Sequence, residues 1–293
     1  MTLEQLSIFI AVAEREHLTN GAAAVGLTPS AASAAIKALE NQYGVRLFDR
    51  VGRRIELTRA GRLFLTEARR TLASVREAEG LLSELGGLRT GRLDIEASQT
   101  IANYWLPTRL LRFCELHPGI SVGFRDGNTA SVVQAVISGR AELGFIEGTI
   151  DEPALASLPV HTDELAVVMS ARAGHIASRT TPARLHELNW VMREPGSGTR
   201  AEFEAALAAI GVDCRTLPVA LTLPTNEAVL SAVRGSSCAA ALSRLAISPF
   251  VASGELAMLD IALAPRQFTI LRHKERRLSA AALEFERLCR ERD

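Results

Sequence analysis

Residues 17–61 constrain the fold most: HLTNGAAAVGLTPSAASAAIKALENQYGVRLFDRVGRRIELTRAG. The spacing predicts a short helix from about Leu18 to Val25, a turn at Gly26–Leu27–Thr28, and a second helix opening at Pro29–Ser30. Gly21 and Ala22 are small where two helices must approach closely, and Gly26 accepts the positive φ of a tight turn. Val25, Leu27, Ala32, Ile36 and Leu39 recur at spacings that pack the second helix on the first. Its other face carries Pro29, Ser30, Ser33, Ala34 and Lys37, small or polar residues suited to lie against a groove. This is a helix-turn-helix pattern, whose second helix enters the DNA major groove.

The same stretch resembles the amino-terminal domain of LysR-type transcriptional regulators. The match runs from Leu6 and Phe9 through Leu18-Thr19, Ala22, Val25 and Leu27. It continues through Ser33, Ile36, Leu39-Glu40, Gly44-Val45-Arg46-Leu47-Phe48 and Arg50, to Leu57-Thr58 and Ala60-Gly61. Such a series of fixed spacings is far more specific than a single short motif. The remaining chain has the length and element order of such regulators, so the resemblance covers all 293 residues. One position departs: where the family commonly has arginine in the recognition helix, this chain has Ala34. Fewer base and phosphate contacts from that helix are therefore expected. The expected DNA contacts are Thr28, Pro29, Ser30, Ser33 and Lys37 in the major groove. Arg53 and Arg54 of the following hairpin are expected on phosphate or the adjacent minor groove.

Formal net charge is zero, so the whole chain favours no class of partner. The distribution does. From Arg46 to Arg62, six arginines against Asp49 and Glu56 leave a local charge of +4, an electrostatic footprint for phosphates. The start, MTLEQLSIFIAVAERE, reads as an amphipathic helix rather than a signal peptide. No run of 18 apolar residues occurs, so neither a membrane span nor a membrane partner is expected, and the expected location is cytoplasmic. Cys114, Cys214, Cys238 and Cys289 are widely spaced and read as small apolar residues, with Cys214 and Cys238 as the alternative redox pair. The six histidines lack metal-ligand spacing, so neither a metal nor a cofactor is expected.

The first helix is expected from about Leu3 to Glu16, and a long helix from Thr58–Gly61 to about Leu88. Leu65, Ala68, Leu72, Val75 and Leu82 form a stripe on that helix narrow enough for a pairing seam, the alternative being a helix packed on its own chain. Gly86-Gly87 and Gly91 mark a hinge. Beyond Arg92, strands alternate with helices, implying parallel sheets with right-handed crossovers. TIANYWLPTRLLRFCELHP reads as one helix there. The expected class is α+β: a winged helix-turn-helix head (1–61), a linker helix (62–89) that the resemblance makes the dimerisation element, and a two-lobed α/β effector domain (90–293). The resemblance assigns the last the fold of periplasmic binding proteins, here with lobe I over about 90–163 and 265–293 and lobe II over about 164–264.

Ligands of open α/β lobes bind beyond strand carboxyl ends, beside helix starts. Ser98-Gln99-Thr100 occupies such a place, serving either an anion or simple N-capping. In Glu194-Pro-Gly-Ser-Gly-Thr-Arg200, Ser197, Gly198, Thr199 and Arg200 stand at a helix start where N–H groups, hydroxyls and a guanidinium can converge on an oxyanion; a plain capped turn is the alternative. Asn226 either bonds a ligand or caps its helix. Glu147 can line the cleft, where its charge opposes an anion unless it is bonded elsewhere. Tyr104 and Trp105 read as lobe core first and cleft wall second. Family members with a similar Gly-Ser-Gly-Thr segment sense small anionic metabolites, including sulfur oxyanions and organic phosphates or carboxylates. Ser197 lacks the G-x-S-x-G context and a histidine partner, so no enzyme activity is expected. The resemblance implies double-stranded DNA with an interrupted palindrome, a homodimer or homotetramer and a small anionic effector, and it leaves RNA polymerase open as a further partner.

Overall fold

The computed structural model describes residues 1–51, 54–85, 90–173, 182–261 and 263–291; the side chains of 50, 51, 54, 76, 77, 79–81, 83–85, 182 and 183 are not described. Arg53, the side chain of Arg54 and the expected hinge at Gly86-Gly87 therefore lie outside the described residues. The chain divides into two compact units, one over Met1–Leu82 with Ser138–Arg140 and one over Ser83–Ile137 and Ala141–Asp293.

In the first unit, α1 (Leu3–Ala13) opens on a capping box in which Thr2 and Gln5 satisfy each other's backbone N–H groups. It ends at Ala13, earlier than the apolar pattern implied. Helix α2 (Leu18–Ala24) and α3 (Pro29–Tyr43) follow, at 98° to each other. The turn between them uses Gly26 at φ +70°. A Cβ on Gly21 would lie 2.6 Å from Val12 Cα, so α1 and α2 touch backbone to backbone there. Strands β1 (Phe48–Val51) and β2 (Arg54–Leu57) pair antiparallel as the wing. Glu40 of α3 fixes its entry by accepting from the N–H groups of Leu47 (2.7 Å) and Phe48 (3.2 Å). The long helix α4 (Arg59–Leu85) divides the expected stripe. Ala68 is buried with Leu6, Phe9, Leu39 and Leu57, and Leu65 and Leu72 pack on the same core, whereas Leu82 is 69% exposed. The first half of the stripe thus packs on the head's own core.

The second unit begins with β3 (Gly91–Ser98), α5 (Gln99–Tyr104), α6 (Leu106–Leu116), β4 (Ile120–Gly127), α7 (Thr129–Ile137), β5 (Leu143–Glu147) and β6 (Leu155–Asp163). A second group comprises β7 (Leu165–Ser170), α8 (Pro182–Leu185), β8 (Trp190–Arg193), α9 (Gly198–Ala209), β9 (Val219–Leu223), α10 (Asn226–Arg234), β10 (Ala239–Ser243), α11 (Arg244–Ala252) and β11 (Leu256–Met258). The chain then closes with β12 (Arg266–His273) and α12 (Ala280–Arg290). The single helix expected over residues 100–118 is two, because Pro107 lies in the first turn of α6, where its missing N–H costs least.

Two five-stranded sheets result, ordered β4-β3-β5-β12-β6 and β11-β7-β10-β8-β9. They are mixed rather than parallel. Strand β3 runs parallel to β4 and β5, but β12 runs antiparallel to β5 and β6, and β7 antiparallel to β10 and β11. The reason is topological. Strand β6 leaves the first sheet at the end where β3 and β5 finish, and β7 and β12 enter their sheets from that same cleft side, so they oppose strands that end there. One core gathers Leu93, Ile95, Trp105, Phe113, Phe145, Phe268 and Phe285; another gathers Trp190, Phe203 and Leu207 with Val167 and Met192. Among the described residues, no single helix is long and apolar enough to cross a membrane.

The lobes are clasped where α5 meets α10. Asn103 Nδ2 and the Tyr104 hydroxyl both donate to Glu227 Oε1, at 2.9 and 3.3 Å. Burial first, then the Glu227 charge and this hydrogen bond, push the Tyr104 hydroxyl up to about 12. A folded value above the unfolded one contributes stability that is complete below about pH 10 and lost as pH rises through the folded value.

Two outcomes follow from this packing. Gly21→Ala forces a methyl into Val12 and lowers the head's stability by about 1–3 kcal/mol, outweighing the helix propensity gained; an unchanged calorimetric transition contradicts the close approach. In ultraviolet titration of the folded chain, Tyr104→Phe removes a tyrosinate step at about 12 and Glu227→Gln moves that step down. Persistence of the step in the Phe variant contradicts the clasp.

Candidate functional site

The sequence-nominated residues Thr100, Thr199 and Asn226 meet between the lobes, all buried. Asn226 Nδ2 donates to Thr100 Oγ1 at 3.1 Å, the Asn226 N–H donates to Gln99 Oε1 at 3.0 Å, and the two threonine hydroxyls lie 3.5 Å apart. Each threonine is there because its helix starts there. Thr100 follows Ser98, which caps α5 without a side-chain bond; Thr199 lies in the first turn of α9, capped by Ser197; Asn226 opens α10, capped by Thr225.

Sequence reasoning missed the group that organises these residues. Arg266, at the start of β12 and 2% exposed, donates Nη1 to Thr199 Oγ1 at 3.1 Å and Nη2 to Thr100 Oγ1 at 3.5 Å. Its Nε and Nη2 both lie 2.8 Å from Asp163 Oδ2, and Ser243 Oγ donates to Asp163 Oδ1 at 2.7 Å. A second cation was missed as well: Arg193 donates to Asn226 Oδ1 and pairs with Glu194 through Nε at 2.8 Å. Asn128 Nδ2 donates to Glu194 Oε1 at 3.1 Å, and the Ala130 N–H to the Gly196 carbonyl at 3.2 Å, joining the start of α7 to the glycine loop. The only signal available in the sequence for Arg266 and Asp163 was their position at the ends of strands that change lobes.

Other nominated residues behave differently. Ser197 Oγ accepts from the Arg200 N–H at 3.5 Å, an N-cap. The Arg200 guanidinium turns to Glu204 Oε1 (2.7 Å) and the Arg193 carbonyl (3.1 Å) rather than toward the threonines. Ser98 is buried with its hydroxyl unpartnered. Trp105 is core; Tyr104 serves the clasp. The cysteines are free, and Cys114 is exposed rather than buried. Burial pushes the Cys289 thiol up to about 12 and also raises Cys214, which disfavours thiolate chemistry at both.

The arrangement offers hydroxyl and N–H donors with their cations already paired. The N–H groups of Gly198 and Thr199, in the first turn of α9, have no partner one helical turn back. Groups so placed can donate hydrogen bonds to a small polar molecule.

In the head, Thr28 caps α3, accepting from the Ala31 N–H at 3.3 Å and lying 3.1 Å from Ser30 Oγ. Pro29, Ser30, Ala34 and Lys37 are exposed on one side of α3, and Ser33 is half-buried beside them.

Comparison with known proteins agrees in both units. Residues 3–62 match the family described as bacterial regulatory helix-turn-helix protein, lysR family, and residues 86–293 the LysR substrate binding domain. The chain is 33% identical to the HTH-type transcriptional regulator YeiE of Escherichia coli K12, over 99% of this chain and 97% of that protein. Full-length CbnR, solved with its target DNA, shares the fold at TM-score 0.68 and 21% identity, covering 99% of both chains. The regulatory domain of CcmR from Synechocystis PCC6803, solved in complex with 2-PG, is 25% identical at TM-score 0.62, covering 69% of this chain and 96% of that one. The chain belongs to the LysR family of DNA-binding transcriptional regulators, with a winged helix-turn-helix head and a two-lobed effector-binding domain.

Proposed function

We propose that this regulator reads an interrupted palindrome as a homodimer or homotetramer and is switched by a small anion bound between its lobes. The observation that carries the effector reading is the convergence of Thr100, Thr199 and Asn226 with the first turn of α9, whose N–H groups and partial positive charge favour an anion. Ser98, Gln99, Ser197 and Gly198 complete the proposed cradle, and Arg200 braces the loop through the Arg193 carbonyl. The CcmR domain holding 2-PG supports a ligand role for this domain type. In the head, Thr28, Pro29, Ser30, Ser33 and Lys37 face the major groove, and Arg53 and Arg54 grip phosphate. The proposed division is a head over 1–61, a linker over 62–89 and an effector domain over 90–293. Leu82, exposed toward the end of α4, belongs to the proposed pairing surface. RNA polymerase is a natural partner for such a DNA-bound regulator.

Two measurements test this. Thermal unfolding of the full-length chain with sulfite, sulfate, thiosulfate, phosphate, phosphorylated sugars or short carboxylates is expected to reveal a stabilising anion, worth roughly 2.7 kcal/mol at a hundred times its Kd. Thr100→Val with Thr199→Val abolishes that shift; an equal shift in the double variant removes the cleft from the account. On DNA, Arg53→Ala with Arg54→Ala weakens binding to all sequences and reduces the salt slope by about 1–2. An unchanged slope removes the wing.

A further inference from the structure

Glu147 is an anomaly in this cleft. It ends β5 and is 4% exposed, yet among the described residues its carboxylate receives one hydrogen bond, from Thr129 Oγ1 at 3.5 Å. A carboxylate removed from water with so little compensation is costly. Its neighbours do not repair the deficit. Arg266 is committed to Asp163 and Arg193 to Glu194. Glu202, on α9, adds a further carboxyl group, raised chiefly by burial and further by Glu147, with Arg266 acting in the opposite sense.

Placement sharpens the problem. Glu147 Oε2 lies 2.7 Å from where a methyl on Gly198 would stand, so the carboxylate packs directly against the first turn of α9. Strand β3 pairs with β5 so that Ala97 faces Phe145, which brings Ser98 and Glu147 to neighbouring strand ends. The Ser98 hydroxyl there is buried and unpartnered. The unused groups are therefore donors on Ser98, Gly198 and Thr199, beside the Glu147 carboxyl group with its acceptor oxygens. Donors alone suit any oxyanion. With a fixed acceptor among them, a fully deprotonated oxyanion would set its lone pairs against those of Glu147.

We propose that Glu147 makes the cleft selective for small oxyanions that carry a hydrogen donor of their own, an acid O–H or an adjacent alcohol O–H. Glu147 accepts that hydrogen, while Ser98 and the start of α9 hold the anionic oxygens. The inference rests on the anion-sensing reading above and adds the chemical class of the effector.

The test is calorimetric titration of the full-length chain at neutral pH with two matched pairs. Inorganic phosphate and sulfate share shape and size, but only phosphate retains a proton; glycolate and acetate differ by an alcohol. The native chain is expected to bind the donor-bearing member of at least one pair more tightly by at least about tenfold, and the responding pair tells an acid donor from an alcohol. Glu147→Gln, whose amide donates as well as accepts, narrows or inverts that ratio and raises the melting temperature of the unliganded chain. Equal affinities within both native pairs, or an unchanged ratio in Glu147→Gln, overturn the selectivity and leave the anion site standing. No binding of any of the four probes, by native chain or variant, overturns both.

Discussion

A guanidinium and a carboxylate lie buried against each other where the chain passes between two sheets, and much of the effector unit is arranged around them. Arg266 opens β12 and Asp163 closes β6, paired residues at the cleft end of the first sheet. Isolated, either charge would be unsustainable at that depth, and breaking such a pair costs roughly 3–5 kcal/mol. The remaining guanidinium hydrogens reach Thr199 and Thr100, and Ser243 reaches the far oxygen of Asp163. One ion pair thus ties both lobes to the strands that connect them.

That arrangement gives a ligand a specific task. The hydroxyls of Thr100 and Thr199 accept from Arg266, which leaves their own protons to be shared between them or offered to an anion. Bonds such as Asn226 to Thr100 and Tyr104 to Glu227 already draw the lobes together. An effector therefore acts by stabilising one arrangement of existing contacts over another. It shifts the population only to the extent that it binds the two arrangements with different affinity. Glu147, at the end of β5, sets a buried carboxyl group against the start of α9.

The head was legible because its determinants are local. Gly21, Gly26, Thr28 and Pro29 act within a few residues of themselves, and the apolar spacing of α3 reports a core a single turn away. The Gly-Ser-Gly-Thr helix start was legible for the same reason. Arg266 was not, since its partners are more than sixty residues distant in sequence and only the crossing of strands brings them together. Arg200 shows another limit of local reading: its place beside the loop implied convergence on an oxyanion, and its pairing with Glu204, one turn along α9, was not foreseen. Parallel sheets were expected because strand–helix alternation says nothing about a chain that leaves a lobe and returns. The stripe on α4 likewise has a periodicity that the head's own core and a pairing seam would share.

The most direct test of the cleft as the effector site is amide hydrogen exchange on the full-length chain, with and without the anion that stabilises it best. Slowed exchange concentrated in 98–104, 196–202 and 225–229 is the expected result, since these segments carry the converging helix starts. Protection confined to other segments, with these three unchanged, would contradict it.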